Sequence, residues 1–146
     1  MTGTRTGQKY TLGLIFDSEL KNVLLVHKQR PEWQKGKING VGGKYENGET
    51  AEMCIRRETR EEAVLDIPES EWIYIGNIRQ EAGNVGILTV KHTVHKNDAF
   101  QNDHEEIEWF AADNLPENSM GNLRWLIPLS LERLQNNIFA TFTIRY

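Results

Sequence analysis

The sequence predicts an α/β fold, a mixed β-sheet sandwiched between helices. Three observations carry this. Short apolar runs separated by turn residues recur along the 146 residues. One stretch, Thr50 to Leu65, contains neither Gly nor Pro and carries apolar residues at helical spacing. A second stretch, Asn122 to Gln135, repeats that spacing near the C-terminus. The length suits one domain, residues 1–146, with a substantial core.

In order, Met1 to Gln8 is polar and aperiodic, so a loose terminus is expected. Tyr10 to Phe16 and Val23 to His27 read as strands, and the polar turn Asp17 to Asn22 joins them into a hairpin. Arg30 to Gly36 reads as a loop, in which Trp33 is expected to pack as a core anchor rather than to form a substrate wall. Ile38 to Val41 is a short strand running into the turn Gly40-Val41-Gly42-Gly43. Thr50 then serves as N-cap of the first helix, with Ala51, Cys54 and Ile55 on its apolar stripe. Trp72 to Ile78 and Val85 to Val94 are strands turned by Ala82-Gly83-Asn84. Lys96 to Asp103 is a polar loop, Glu106 to Ala111 a strand, and Asn114-Leu115-Pro116 a turn. In the second helix Leu123, Leu126, Ile127, Leu131 and Leu134 face inward, and Pro128 kinks the run or marks a helical start. The tail alternates, with Ile138, Ala140, Phe142, Ile144 and Tyr146 on one buried side.

Charged residues make up 26% and hydrophobic residues 38%, with a net charge of −4. That balance excludes a general nucleic-acid or membrane binder, which needs a basic face. An anionic substrate must then be met by local cations, for which Lys28 and Lys44 stand as candidates, or by a bound metal. The single cysteine, Cys54, precludes an internal disulfide and falls on the helix stripe as a small core residue. No signal peptide or membrane-length apolar run is visible, so a cytoplasmic location is the default expectation.

Extending the helix stripe leads to Glu58, then Glu61 and Glu62. Carboxylates at i, i+3 and i+4 share one face and repel. Either that face is solvated, with Glu52, Arg56, Arg57 and Arg60 around it, or a hard divalent cation such as Mg²⁺ or Mn²⁺ sits among the oxygens. His27, His92, His95 and His104 show no zinc-site spacing with Cys54. Gly42-Gly43-Lys44 lacks the upstream Gly and the following Ser/Thr of a P-loop.

From Gly43 the pattern is five residues, Glu49, seven residues, Arg57-Glu58, Thr59, Arg60, Glu61-Glu62, Ala63, Val64, Leu65. It closely resembles the box G-x5-E-x7-R-E-U-x-E-E-x-G-U of the Nudix hydrolases. Thr59 replaces an aliphatic residue, and Val64 stands where the family has Gly, the residue that best permits a left-handed helix exit. Tyr10-Thr11-Leu12, Val23-Leu24-Leu25, Asn39 to Lys44 and Trp109-Phe110 through Pro116 extend the resemblance to the MutT-like branch, most of all to its oxidised-purine nucleoside triphosphatases.

The resemblance implies the Nudix fold, with the box as loop–helix–loop. It also implies Mg²⁺-dependent hydrolysis of a nucleoside triphosphate, purine deoxynucleotides favoured, to the monophosphate and pyrophosphate. Glu58, Glu61, Glu62 and the Gly43 carbonyl would hold the metal, while Glu49 and Arg57 would brace the loop. A further carboxylate would come from Glu105 or Glu106, and the general base from any of these glutamates. Asn39 would contact the base. The Trp-Pro-Asp-Asp that completes the oxidised-purine pocket is missing; Asn118, Ser119, Met120 and Asn122 stand there instead, so an ordinary base is an equal alternative. ADP-ribose or dinucleoside polyphosphate hydrolysis is the second enzymatic reading, without its Pro or Tyr marker around Gln80 to Gly83. A silent nucleotide-binding module is the third, with every box carboxylate present against it. The implied partner is a small nucleotide, not nucleic acid or membrane, and a homodimer is compatible with all three.

Overall fold

The computed structural model describes residues 8–92, 105–136 and 140–146. The expected N-terminal tail, the polar loop Lys96–Asp103, His95, His104, Ile138 and the end of the strand expected to reach Val94 lie outside the described residues. The elements are strands β1 (Gln8–Phe16), β2 (Asn22–His27), β3 (Ile38–Asn39) and β4 (Val41–Lys44), helix α1 (Ala51–Ala63), strands β5 (Ile73–Arg79), β6 (Asn84–Lys91) and β7 (Glu106–Ala111), helix α2 (Leu123–Gln135) and strand β8 (Phe142–Arg145).

The strands form one mixed sheet in the order β3-β2-β1-β6-β5-β8, with β4 paired to β1 and β7 to β2. β1 is the hub. It runs parallel to β6 along one edge. On its other edge, Tyr10 to Gly13 pair with β4, whereas Ile15 and Phe16 pair with β2. The expected hairpin therefore exists but is short. Its turn is set by Asp17, whose carboxylate accepts from the Lys21 and Asn22 amides at 2.8 and 3.1 Å and from Asn22 Nδ2 at 2.6 Å.

Strand alternation separates two cores. Leu12, Leu14, Phe16, Val23 and Leu25 join Leu123, Leu126 and Ile127 of α2. Ile15, Leu24, Val26 and Val41 join Ala51, Ile55 and Ala63 of α1. A register shift between Tyr74 and Gly76 resets the alternation of β5, so Ile73, Ile75 and Ile78 all reach the α2 side. The sheet is thus sandwiched between the two helices.

Five local expectations need correction. Val41 to Gly43, expected in a turn, belong to β4 and pair with β1. Ala140, expected on the buried side of the tail, is exposed and precedes β8. Trp33 is 69% exposed, because the three-residue 3₁₀ turn Glu32–Gln34 that carries it buries nothing. Tyr146 is 73% exposed, since the pairing of β8 with β5 ends at Arg145. Pro128 marks no helical start; α2 begins at Leu123 and runs on through the proline, whose ring lies on the exposed side.

Candidate active site

The site is built on the second half of α1. Thr50 caps the helix, its hydroxyl accepting from the Met53 amide at 3.1 Å. At the other end Val64 adopts φ 55°, ψ 33°, and its amide donates to Arg60 O at 3.1 Å. A β-branched residue is thus held in the left-handed region, at a cost of about 1–2 kcal/mol. The turn delivers Leu65 and Ile67 into the α1-side core.

β4 brings backbone up to the carboxylates. The Gly42 amide donates to Glu62 Oε1 at 3.1 Å, with φ at 145° and Thr11 O only 2.1 Å from where a Cβ would sit. A Cβ on Gly43 would lie 2.6 Å from the Glu58 carboxyl. Glycine is required at Gly42, where the obstacle is backbone, while at Gly43 a Cβ would push the Glu58 carboxyl out of its place.

Arg57 ties the loop to the helix. Its Nε and Nη2 donate to the two Glu49 oxygens at 2.8 and 2.9 Å, and Nη2 also donates to Lys44 O at 2.9 Å. Its Nη1 reaches Glu58 Oε1 at 3.0 Å and Glu61 Oε2 at 3.3 Å. The hydrogen bonds from Arg57 hold the Glu49 carboxyl below its ordinary range, and those carboxylates hold the guanidinium protonated.

A second carboxylate, Glu105, meets the Glu62 side from the position just before β7. Ile107 and Trp109 pack on the α1 side. Glu105 has their parity, whereas Glu106 has the opposite one and is exposed. Glu105 is buried; its Oε2 accepts from the Gln29 and Arg30 amides at 2.7 and 3.3 Å. Lys28 Nζ lies 3.3 Å from Glu105 Oε1 and 3.9 Å from Glu62 Oε2. Lys28 is thus buried between two carboxylates, while Lys44 is exposed at the end of β4.

Glu62 Oε2 is buried and accepts no hydrogen bond. Burial pushes the Glu62 carboxyl up to about 8, with Lys28 and the Gly42 amide opposing and Glu58 and Glu105 adding to it. Burial likewise raises Glu58, against Arg57. An orphaned oxygen in an all-oxygen, under-compensated acidic cluster fits a hard divalent cation. Cys54, in van der Waals reach of the Gly43 carbonyl at 3.9 Å, is pushed to about 11 by burial and is a core thiol.

Among the described residues, one tighter group of ligand-type atoms exists: His27, Glu106 and Glu108, within 4.8 Å of one another. It lies on the other side of the sheet, with His27 Nε2 2.9 Å from Glu108 Oε1. Sequence spacing missed it because the pairing of β2 with β7 joins residues far apart in the chain.

Asn39 Oδ1 accepts from the Gly40 amide at 2.9 Å, and its Nδ2 donates to Gln34 Oε1 at 3.2 Å. The segment from Asn118 runs beside β3: Ile38 N donates to Asn118 O at 3.0 Å and Met120 N to Ile38 O at 2.8 Å. Asn118 Nδ2 is spent on Gly36 O at 3.1 Å. Ser119 Oγ and Asn122 Oδ1 are buried without partners. Asn39 and the Asn118–Asn122 segment therefore flank one another.

The NUDIX domain family matches residues 8–128, most of the chain, and the chain belongs to that family. It is a hydrolase of a family whose enzymes generally use a divalent metal and act on small nucleotides. It is 32% identical over 128 residues to a Danio rerio protein named oxidized purine nucleoside triphosphate hydrolase, covering 84% of this chain and 80% of that one. The fold is shared with a mutator MutT protein from Bacillus halodurans, at TM-score 0.66 and 24% identity over 95% and 90% of the two chains. It is also shared with an ADP-ribose pyrophosphatase from Streptococcus suis, at TM-score 0.66 and 18% identity over 97% and 100%. No helix among the described residues is long and apolar enough to cross a membrane.

Proposed function

We propose that the enzyme hydrolyses a nucleoside triphosphate, with purine deoxynucleotides favoured, to the monophosphate and pyrophosphate, using Mg²⁺ or in its place Mn²⁺. The observation that carries this is the orphaned Glu62 Oε2, facing Lys28 in the acidic cluster beside the Gly42–Gly43 backbone. Glu58, Glu61, Glu62 and the Gly43 carbonyl would hold the ion, which when bound neutralises phosphate oxygens and acidifies a water. The parity of β7 supports Glu105 over Glu106 as the further carboxylate. Proton transfer from the attacking water falls to a carboxylate of this cluster. Glu49 and Arg57 would brace the end of β4, the strand that presents Gly43, and the loop after it. Lys44, exposed at the end of that strand, would meet phosphates, and Asn39 with Asn118 and Asn122 would address the base. An amide supplies both donor and acceptor to a purine edge.

The triphosphate class is supported by the name of the Danio rerio relative. Its oxidised-purine preference is not carried over, because the segment from Glu117 to Arg124 lacks Trp-Pro-Asp-Asp. The test compares dATP, dGTP, 8-oxo-dGTP, dCTP, dTTP and ADP-ribose with Mg²⁺. Phosphate should be released from a purine triphosphate only after pyrophosphatase is added, without overwhelming preference for 8-oxo-dGTP. Asn39→Ala should lower kcat/KM for the best base by about 1–3 kcal/mol and leave poor bases little changed. Equal loss on every base would mean that Asn39 supports the loop. Full activity in excess chelator would end the metal reading.

A further inference from the structure

The acidic cluster already contains a cation of the chain's own. Lys28 follows β2 and is followed by the exposed Gln29 and Arg30, yet Lys28 itself is only 9% exposed. Its surroundings are asymmetric. Glu105 is anchored independently, one oxygen taking the Gln29 and Arg30 amides and the other Lys28 Nζ at 3.3 Å. Glu62 is anchored through Oε1 by the Gly42 amide, but its Oε2 stands 3.9 Å from Nζ, beyond hydrogen-bond length. The ammonium therefore compensates Glu62 by charge without satisfying its oxygen.

A divalent ion on that oxygen and the ammonium 3.9 Å from it would be two cations beside one buried carboxyl group, and like charges in a buried site repel. The oxygen that most needs a ligand is the one the ammonium covers least.

We propose that Lys28 is an internal placeholder cation: its ammonium holds Glu62 and Glu105 together while the site is free of metal, and withdraws from them when the divalent ion binds. This rests on the metal site of the proposed function. It assigns Lys28 a role toward the ion, prior to any contact with substrate. The placeholder supplies positive charge beside both carboxyl groups while the site is empty, and its repulsion of an incoming cation weakens metal binding.

Two measurements on the full chain test this. The first is lysine acetylation by acetic anhydride, read by mass spectrometry in chelator and in saturating Mg²⁺. Lys28 should react slowly without metal and several-fold faster with it, while the exposed Lys21 stays constant. The second is Mn²⁺ binding followed by electron paramagnetic resonance. Lys28→Met should tighten the Mn²⁺ dissociation constant by about tenfold, equal to about 1.4 kcal/mol of relieved competition. A Lys28 that stays protected at saturating metal, or a variant that binds Mn²⁺ no more tightly, overturns the placeholder and leaves a permanent ion pair. The acetylation result needs no variant, so it decides the matter even if Lys28→Met fails to fold. Absence of Mn²⁺ binding by the wild type would instead remove the metal site itself, and this inference with it.

Discussion

Helices α1 and α2 are both thirteen residues long and cover opposite sides of one sheet, but they bury different chemistry. α2 buries Leu123, Leu126, Ile127 and Ser130, a mainly apolar stripe. α1 begins the same way, with Ala51, Cys54 and Ile55, and then buries Thr59 and Glu62. Thr59 Oγ1 on α1 and Ser130 Oγ on α2 are alike in finding no hydrogen-bond partner, so the contrast rests on the buried carboxylate of Glu62, whose Oε2 also finds none. A buried polar group without a partner costs about 1–3 kcal/mol, and more when it carries charge. A helix needed only for packing would not bury a carboxylate. That one residue separates a helix that holds the fold together from one that gives up stability at a candidate site.

The strongest way to break this comparison is Glu62→Gln. It keeps shape and removes charge. Turnover should fall at least about 100-fold, the upper end of what loss of a supporting metal contact costs. Stability should respond differently to pH. The Glu62 carboxyl is raised to about 8 in the fold from an ordinary 4.5. The metal-free fold therefore binds this proton more tightly than the unfolded chain does. That contribution is complete below about pH 4.5 and is lost as pH rises through about 8. Melting temperature in chelator should thus fall between about pH 5 and about pH 9, and Mg²⁺ should recover more of it at the alkaline end, because metal takes the deprotonated ligand. Glu62→Gln should flatten the profile. Melts across that range with and without Mg²⁺ check it; a flat wild-type profile would sink the account.

Leu126→Ala is the counterpart on α2. Leu126 is fully buried, so its truncation should cost about 2–5 kcal/mol. kcat per folded molecule should stay within experimental scatter. Denaturant titration alongside active-site-normalised rates measures both. A large drop in kcat with intact stability would show that α2 contributes to the site.

Arg57→Ala should behave as neither extreme. The Arg57–Glu49 pair is mostly buried, with side chains 20% and 11% exposed. Removing one partner strands the other, at about 3 kcal/mol. Melting temperature and activity should fall together. Retained melting temperature with loss of substrate affinity alone would make Arg57 a substrate contact.

What could be read in the chain follows the same division. The cap at Thr50 and the run Glu106 to Ala111 are local, set by helix and strand periods, whereas the pairing of Arg57 with Glu49 was legible only through the Nudix resemblance. Two features were beyond sequence because they depend on strand pairing. The burial of Glu105 and the exposure of Glu106 follow from which side Ile107 and Trp109 face, which only the finished sheet decides. The burial of Lys28 follows from where β7 returns beside β2. Trp33 and Tyr146 failed for the opposite reason: a large apolar residue signals burial only where an element covers it, and each lies beyond any such cover.

The smallest effect concerns Val64, where the two halves of α1 meet the chain beyond. Val64 holds φ 55°, a conformation in which its Cβ is strained, and its side chain is about half exposed. Val64→Gly relieves the strain, about 1–2 kcal/mol, but adds unfolded-chain entropy of about 0.5–1 kcal/mol. The balance is a gain of about 0–1.5 kcal/mol, with little packing lost. Val64→Ala keeps a Cβ in the left-handed region and should give less. Urea midpoints at unchanged m-value measure both. Because Glu61 and Glu62 lie only three and two residues before this turn, kcat is the informative second readout. If glycine stabilises and kcat is unchanged, the strain is incidental to the site. If it stabilises but kcat drops, the strained valine helps to aim Glu62, and α1 trades stability for function at its C-terminal exit as well as along its buried face.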